Sequence, residues 1–258
     1  MPVVNCNFIP DIKWVYPATD FANTPAGVDI WRVHISSNPV EQEHFHLLLS
    51  ADELQKASRY HQEKDRERYV CSRAALRTIL AKYIHQPPKD IQFEIGANKK
   101  PFLKNANDKQ PGFNLSHSGD WILIAVSKAD VGVDVEKINP GFSYKEIFPV
   151  SFSNAEINAI TQSSSPHDDF FLYWTRKEAL VKATSKGLDD DLKKIPSLTG
   201  SHNIDRDISG NVEAWTINSF KVDRDHVGSV AYPDFTFSSG TESFLFPPPV
   251  LFFQFENI

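Results

Sequence analysis

The chain is expected to fold as α+β, with a first half over residues 1–129 and a second over 130–258. Three observations carry that expectation. Apolar and polar residues alternate with the two-residue period of a strand at 29–36, 91–95 and 131–136, and residues 121–126 form a continuous apolar run of strand length. Between these lie stretches free of Gly and Pro, 56–82 and 170–186, that wind naturally as helices. Finally, Val-Gly-Ser-Val-Ala at 227–231 faintly echoes the strand at 121–126, which suggests an internal duplication. At 258 residues the chain is long enough for two small domains or one large one.

Taken in order, residues 1–28 are rich in Pro and Asn and read as an irregular lead-in. Residues 29–36 alternate Trp31, Val33 and Ile35 against Arg32 and His34, a strand. A short helical pattern covers 43–49, and Ser50 with Glu53 three residues later forms a capping box for another helix. Residues 56–82 hold eight of the 27 Lys and Arg residues. As a helix, this segment has an apolar stripe of Tyr69, Leu76, Leu80 and Tyr83 flanked by Arg66, Arg73 and Arg77. A solvated charged face is the plain reading, supported by Glu63, Asp65 and Glu67; arginines at the rim of a pocket could instead grip phosphate. The sequence leaves open which of them face a ligand.

Pro87-Pro88 ends that helix, and 91–95 is a strand. A polar loop at 105–112 leads into Phe-Asn-Leu-Ser-His-Ser at 113–118. Residues 147–153 open a short helix at 155–160, a loop follows at 162–168, and Gly187 is placed to stop the helix of 170–186. Residues 214–222 and 226–231 read as strands, and the aromatic, Pro-rich tail at 244–253 as an edge strand or a cover.

Net charge −6 argues against a nucleic-acid partner. Two cysteines, Cys6 and Cys71, without a Cys-x-x-Cys pair suit a reducing cytoplasm. No apolar run is long enough for a bilayer, and the first residues lack a signal-peptide pattern, so a cytoplasmic protein is expected.

The chemistry concentrates at 131–188. Strand alternation points Asp134 and Glu136 the same way, and helical geometry stacks Trp174, Glu178 and Lys182 at i, i+4 and i+8. Separately these are bland: an Asp-x-Glu strand is usually solvated, and a Glu–Lys pair one turn apart is worth about 0.2–0.5 kcal/mol. Packed together, three carboxylates and a lysine are equipment for holding magnesium and moving a proton. Trp174 is expected to brace the helix. The chain also lacks the Gly-x-x-x-x-Gly-Lys loop of the commonest nucleotide sites.

Gly132-x-Asp134-x-Glu136, then Trp174-x-x-Lys177-Glu178-Ala179-x-x-Lys182 and Lys186-Gly187-Leu188, closely resembles the 4'-phosphopantetheinyl transferases of the surfactin-synthetase-activating (Sfp-like) type, in the branch with a W…KEA helix motif. Asn114-x-Ser116-His117 and Lys100-Pro101 match further motifs, with Lys99 in place of the usual Gly. The resemblance implies two similar α+β halves related by a pseudo-twofold, with the cofactor cleft between them, in a monomer. It implies transfer of the 4'-phosphopantetheine arm from coenzyme A to a serine of an apo acyl, peptidyl or polyketide carrier protein. Magnesium would be held by Asp134, Glu136 and Glu178. The candidate base or charge-neutralising groups are Glu178 and Lys182. Lys56, Arg68, Lys100, Ser116 and His117 would bind coenzyme A, the basic helix reading its 3'-phosphate. A lysine found there in some members is Glu53 here, a departure. The segment around 148–153 is similar to one whose neighbourhood meets the carrier protein in relatives.

Overall fold

The computed structural model describes residues 1–17, 27–35, 39–96, 100–104, 110–185, 192–234 and 250–255. Eleven strands lie among them: β1 (Val3–Phe8), β2 (Val28–His34), β3 (Phe93–Ile95), β4 (Pro101–Leu103), β5 (Gly112–Ser118), β6 (Trp121–Ser127), β7 (Gly132–Lys137), β8 (Gly200–Asn203), β9 (Ala214–Lys221), β10 (His226–Pro233) and β11 (Val250–Gln254). The helices are α1 (Pro39–Leu48), α2 (Ala51–Ala57), α3 (Glu63–Ile84), α4 (Phe148–Ser151), α5 (Asn154–Gln162), α6 (Pro166–Thr184) and α7 (Arg206–Ser209). None is long and apolar enough to cross a membrane.

The strands form two main sheets, ordered β11-β2-β6-β5 and β7-β10-β9-β1-β8, beside the small β3–β4 hairpin. The expected duplication is visible in their connectivity. In each half a first strand is followed by a long helix and then a hairpin, and the first strand pairs antiparallel with the hairpin's second arm: β2 with β6, and β7 with β10. The ends of the chain cross between halves. β1 runs parallel to β9 inside the second sheet, and β11 runs parallel to β2 at the edge of the first.

The lead-in expected to be irregular is therefore partly a strand, and the tail does supply an edge strand. Val4 and Cys6 alternate into the core, but the polar Asn5 and Asn7 between them and the shortness of the run conceal the period.

Alternation decides what lies between the layers. Trp31, Val33, Ile122, Ile124 and Val126 face α3, while Ile30, Leu123 and Ala125 face the second sheet, where Val133, Val135, Phe220 and Val230 meet them. The two sheets thus pack face to face, with α3 outside one and α6 outside the other. Each such fully buried aliphatic or aromatic side chain contributes about 1.5–3 kcal/mol.

Several boundaries differ from expectation. Helix α6 begins at Pro166, inside the stretch read as a loop at 162–168, because proline suits the first turn of a helix. The basic segment is two helices, because the chain turns between α2 and α3 rather than running straight through from Lys56. Helix α6 ends at Thr184 with Ser185 left-handed at φ 58°; Gly187, like Lys99, Lys186 and Leu188, lies outside the described residues.

Candidate active site

The site grows from β7 and α6. Their approach depends on Gly132, where a Cβ would lie 2.0 Å from the Ala179 carbonyl oxygen and 2.3 Å from the Ala183 nitrogen. No side chain fits between this strand and this helix. From the other side, the Thr175 hydroxyl meets Ser229 at 2.8 Å and Arg176 donates to Ser219 at 2.9 Å, tying α6 to the sheet. So held, α6 delivers Glu178 and Lys182 to the acids of β7.

Lys182 Nζ donates to Asp134 Oδ1 at 2.6 Å and to Ser116 Oγ at 3.0 Å, and Ser116 in turn donates to the same Oδ1 at 2.8 Å. Asp134 Oδ2 and Glu178 Oε1 are buried and have no hydrogen-bond partner. Ser118 donates to Glu136 Oε2 at 2.9 Å. Burial, and then the charge of Asp134, pushes both Glu136 and Glu178 up to about 7. Both acids are thus poorly solvated and sit beside the charge of Asp134, which Lys182 only partly offsets.

Buried carboxylate oxygens without donors are costly unless something positive completes them. Among the described residues no three His, Cys, Asp or Glu side chains close around a cation by themselves. The donor set nonetheless suits a hard cation such as magnesium, which takes one or two carboxylates and leaves its other positions to water and phosphate.

Two family models match adjoining stretches of the chain: "4'-phosphopantetheinyl transferase, N-terminal" over residues 36–129 and "4'-phosphopantetheinyl transferase superfamily" over 130–231. The 4'-phosphopantetheinyl transferase HetI of Nostoc sp. is 31% identical over 62% of this chain and 70% of its own length. The chain belongs to the 4'-phosphopantetheinyl transferase family. A Bacillus subtilis 4'-phosphopantetheinyl transferase is 27% identical over 76% of this chain and 88% of that protein. A Synechocystis sp. relative is 32% identical over 58% of this chain and 63% of its own length, just under two thirds of that protein. With the family comes an enzyme class, transfer of a phosphopantetheine arm to carrier proteins.

Of the residues singled out in the sequence, the fold gathers Ser116, Asp134, Glu136, Glu178 and Lys182 into one cluster. His117 points elsewhere. On β5 the odd positions Phe113 and Leu115 pack toward α3, and His117 follows them, exposed, on the side of Arg68. Desolvation in the cleft and then the Arg68 charge push its pKa down; because the ring is exposed, Arg68 is the firmer cause. Arg68 itself pairs with Asp65 at 3.0 Å and keeps its buried Nε unpartnered.

Lys56 is exposed, its ammonium 5.2 Å from the centre of the Tyr69 ring. Lys100 stands at the far end of the same strand–helix junction, donating to the Val131 and Ala183 carbonyls at 3.4 and 3.3 Å beside a cavity of about 290 Å³. Burial pushes its pKa down.

The structure also settles the fate of the arginine stripe. Glu53, the residue that departs from the family, accepts from Arg73 at 2.6 Å and Arg77 at 2.7 Å in a largely buried cluster. Those two arginines serve the fold, and Arg68 remains on the cleft side. The family motif has a similar internal division. Arg176 and Lys177 are fully buried among protein groups, whereas Glu178 and Lys182 face the cleft. Sequence reasoning gave Ser118 no role and quoted Asn114 only as part of a motif, although Asn-x-Ser-x-Ser has the same two-residue period as Asp-x-Glu.

Proposed function

We propose that this cleft transfers the 4'-phosphopantetheine arm of coenzyme A to the serine hydroxyl of an apo carrier protein, releasing 3',5'-ADP. The carrying observation is the convergence of Asp134, Glu136 and Glu178 around Lys182, with Asp134 Oδ2 and Glu178 Oε1 left without partners. Asp134, Glu136 and Glu178 would hold magnesium. Bound there, it supplies Lewis-acid polarisation of the pyrophosphate and stabilises charge on the leaving group.

The chain's own groups do the rest. The carrier serine oxygen forms a bond to the β-phosphorus of coenzyme A as the bond from that phosphorus to 3',5'-ADP breaks. Glu178 receives the serine proton, directly or through a water, on the carboxylate oxygen not turned to the cation. Lys182, braced by Asp134 and Ser116, presents positive charge to the reacting phosphate. Lys100 reaches the coenzyme's phosphates by exchanging its two long carbonyl contacts, and Arg68, His117 and Lys56 read the 3'-phosphate from the α3 side.

A pocket of about 640 Å³ adjoins Glu136 and is walled by Ile138, Phe142, Ile147, Phe170 and Trp174. It offers the carrier an apolar surface at the reacting end. Trp174 stacks on Phe170 with centroids 6.1 Å apart, as a brace would.

The test is to incubate the protein with coenzyme A, magnesium and a panel of apo acyl, peptidyl and polyketide carriers, and to weigh the products. One added arm on the serine with release of 3',5'-ADP is the expected result. Carriers left unmodified across the panel by folded protein would overturn the reading.

A further inference from the structure

Strand β5 presents Asn114, Ser116 and Ser118 at alternate positions, and all three meet β7, although the two strands belong to different sheets. Asn114 Oδ1 accepts the Val133 N–H at 2.9 Å, Ser116 donates to Asp134, and Ser118 donates to Glu136. The Ser118 hydroxyl is held from two sides. Its one proton goes to Glu136 Oε2, and a lone pair accepts the Lys137 N–H at 3.0 Å. The carboxylate is thereby gripped by one oxygen, and the other is left for a ligand.

The position of Ser118 is set by the tight turn beside it. Gly119 has φ +59°, and a Cβ there would lie 2.6 Å from Nε2 of the buried His226. His226 is held in turn by Asp223 at 2.9 Å, and Asp223 by the Trp121 indole at 2.6 Å. The hydroxyl therefore has little room to leave Glu136.

We propose that Ser118 is a positioning residue of the transfer reaction: it locks the Glu136 carboxylate in the orientation that receives the divalent cation. The proposal rests on the reading of Glu136 as a metal-holding acid. Hydrogen-bonding partners behind metal-ligating carboxylates are worth about 10–100-fold in metal affinity or activity.

The experiment measures binding of Mn²⁺ to the full chain in the presence of coenzyme A, by the loss of the free-ion electron paramagnetic resonance signal. Ser118→Ala should weaken Mn²⁺ binding about tenfold, while metal-free coenzyme A binding and the thermal midpoint stay unchanged. Ser118→Thr, which keeps the hydroxyl, should recover most of the affinity. Should the alanine variant misfold, Ser118→Cys keeps the shape with a weak donor and should show the same loss.

Glu136→Gln separates the two readings. If it weakens Mn²⁺ binding and Ser118→Ala does not, the positioning role is overturned and the metal assignment stands. If Glu136→Gln leaves Mn²⁺ binding untouched, the metal assignment itself fails. In the Glu136→Gln background, Ser118→Ala should cost nothing further; a full additional loss would show that the serine acts through another group.

Discussion

Helix α6 carries two lysine–carboxylate pairs little more than a turn apart, and their surroundings are opposite. Lys177 is fully buried and meets Glu156 at 2.9 Å, together with the Leu192 and Ile195 carbonyls. Glu156 also accepts from the backbone N–H and hydroxyl of Ser197 and of Ser153. Every charge in that pair is answered from within the protein. Lys182 is 28% exposed, and its partner Asp134 keeps one buried oxygen without a donor, as does neighbouring Glu178. The first arrangement joins α6 to α5 and to the chain at 192–197, and the second leaves capacity for a ligand. Burial alone does not tell a functional charge from a structural one; the completeness of its hydrogen bonding does.

Breaking the sealed pair should have the largest effect. Lys177→Ala leaves Glu156 buried without its counter-charge and should lower unfolding stability by about 3–5 kcal/mol. Urea denaturation measures it, and a loss below 1 kcal/mol would erase the distinction between the pairs.

The open pair should answer in activity. Asp134→Ala and Glu178→Gln are each expected to cost at least about 10²–10³-fold in kcat/KM, the scale of one lost transition-state charge contact. Neither should lower stability by more than about 1 kcal/mol, because each removes a carboxylate that is incompletely paired. Near-normal turnover at limiting magnesium would remove these acids from the site.

The next test is pH. Folding raises Glu136 and Glu178 from the usual carboxylate range to about 7. Between pH 4.5 and 7 the folded form then binds more protons than the unfolded chain, so stability is greatest at the acidic end and falls as pH rises through 7. Without magnesium each of the two acids should contribute about 3 kcal/mol to that fall. Magnesium should flatten it and Glu178→Gln should lessen it by the share of that one acid, and a metal-free profile level from pH 5 to 8 would show that the charges are already neutralised.

Smaller effects sharpen the roles within the cleft. If Lys182 supplies charge, Lys182→Arg should keep appreciable turnover and Lys182→Gln lose most of it; equal inactivity with normal coenzyme A binding would make the lysine a proton carrier. Lys56→Ala should weaken coenzyme A by a few-fold and leave dephospho-coenzyme A unaffected, and calorimetry with both ligands checks it.

By itself the sequence determined what short-range periodicity controls. Strand alternation put Asp134 and Glu136 on one face, helical spacing stacked Glu178 and Lys182, and the Ser50–Glu53 capping box forms as read. Tertiary structure decided which polar groups are left over once folding has used the rest. Glu53 takes Arg73 and Arg77 from across 20 and 24 residues, Glu156 takes Lys177 from 21 away, and Ser118 finds Glu136 across a boundary between sheets. It also decided that β1 and β11 exchange halves, because strand pairing satisfies backbone groups that every residue carries and so leaves little mark on side-chain pattern. A local pattern fixes the direction in which a charge points, and only long-range packing determines whether a partner is waiting there.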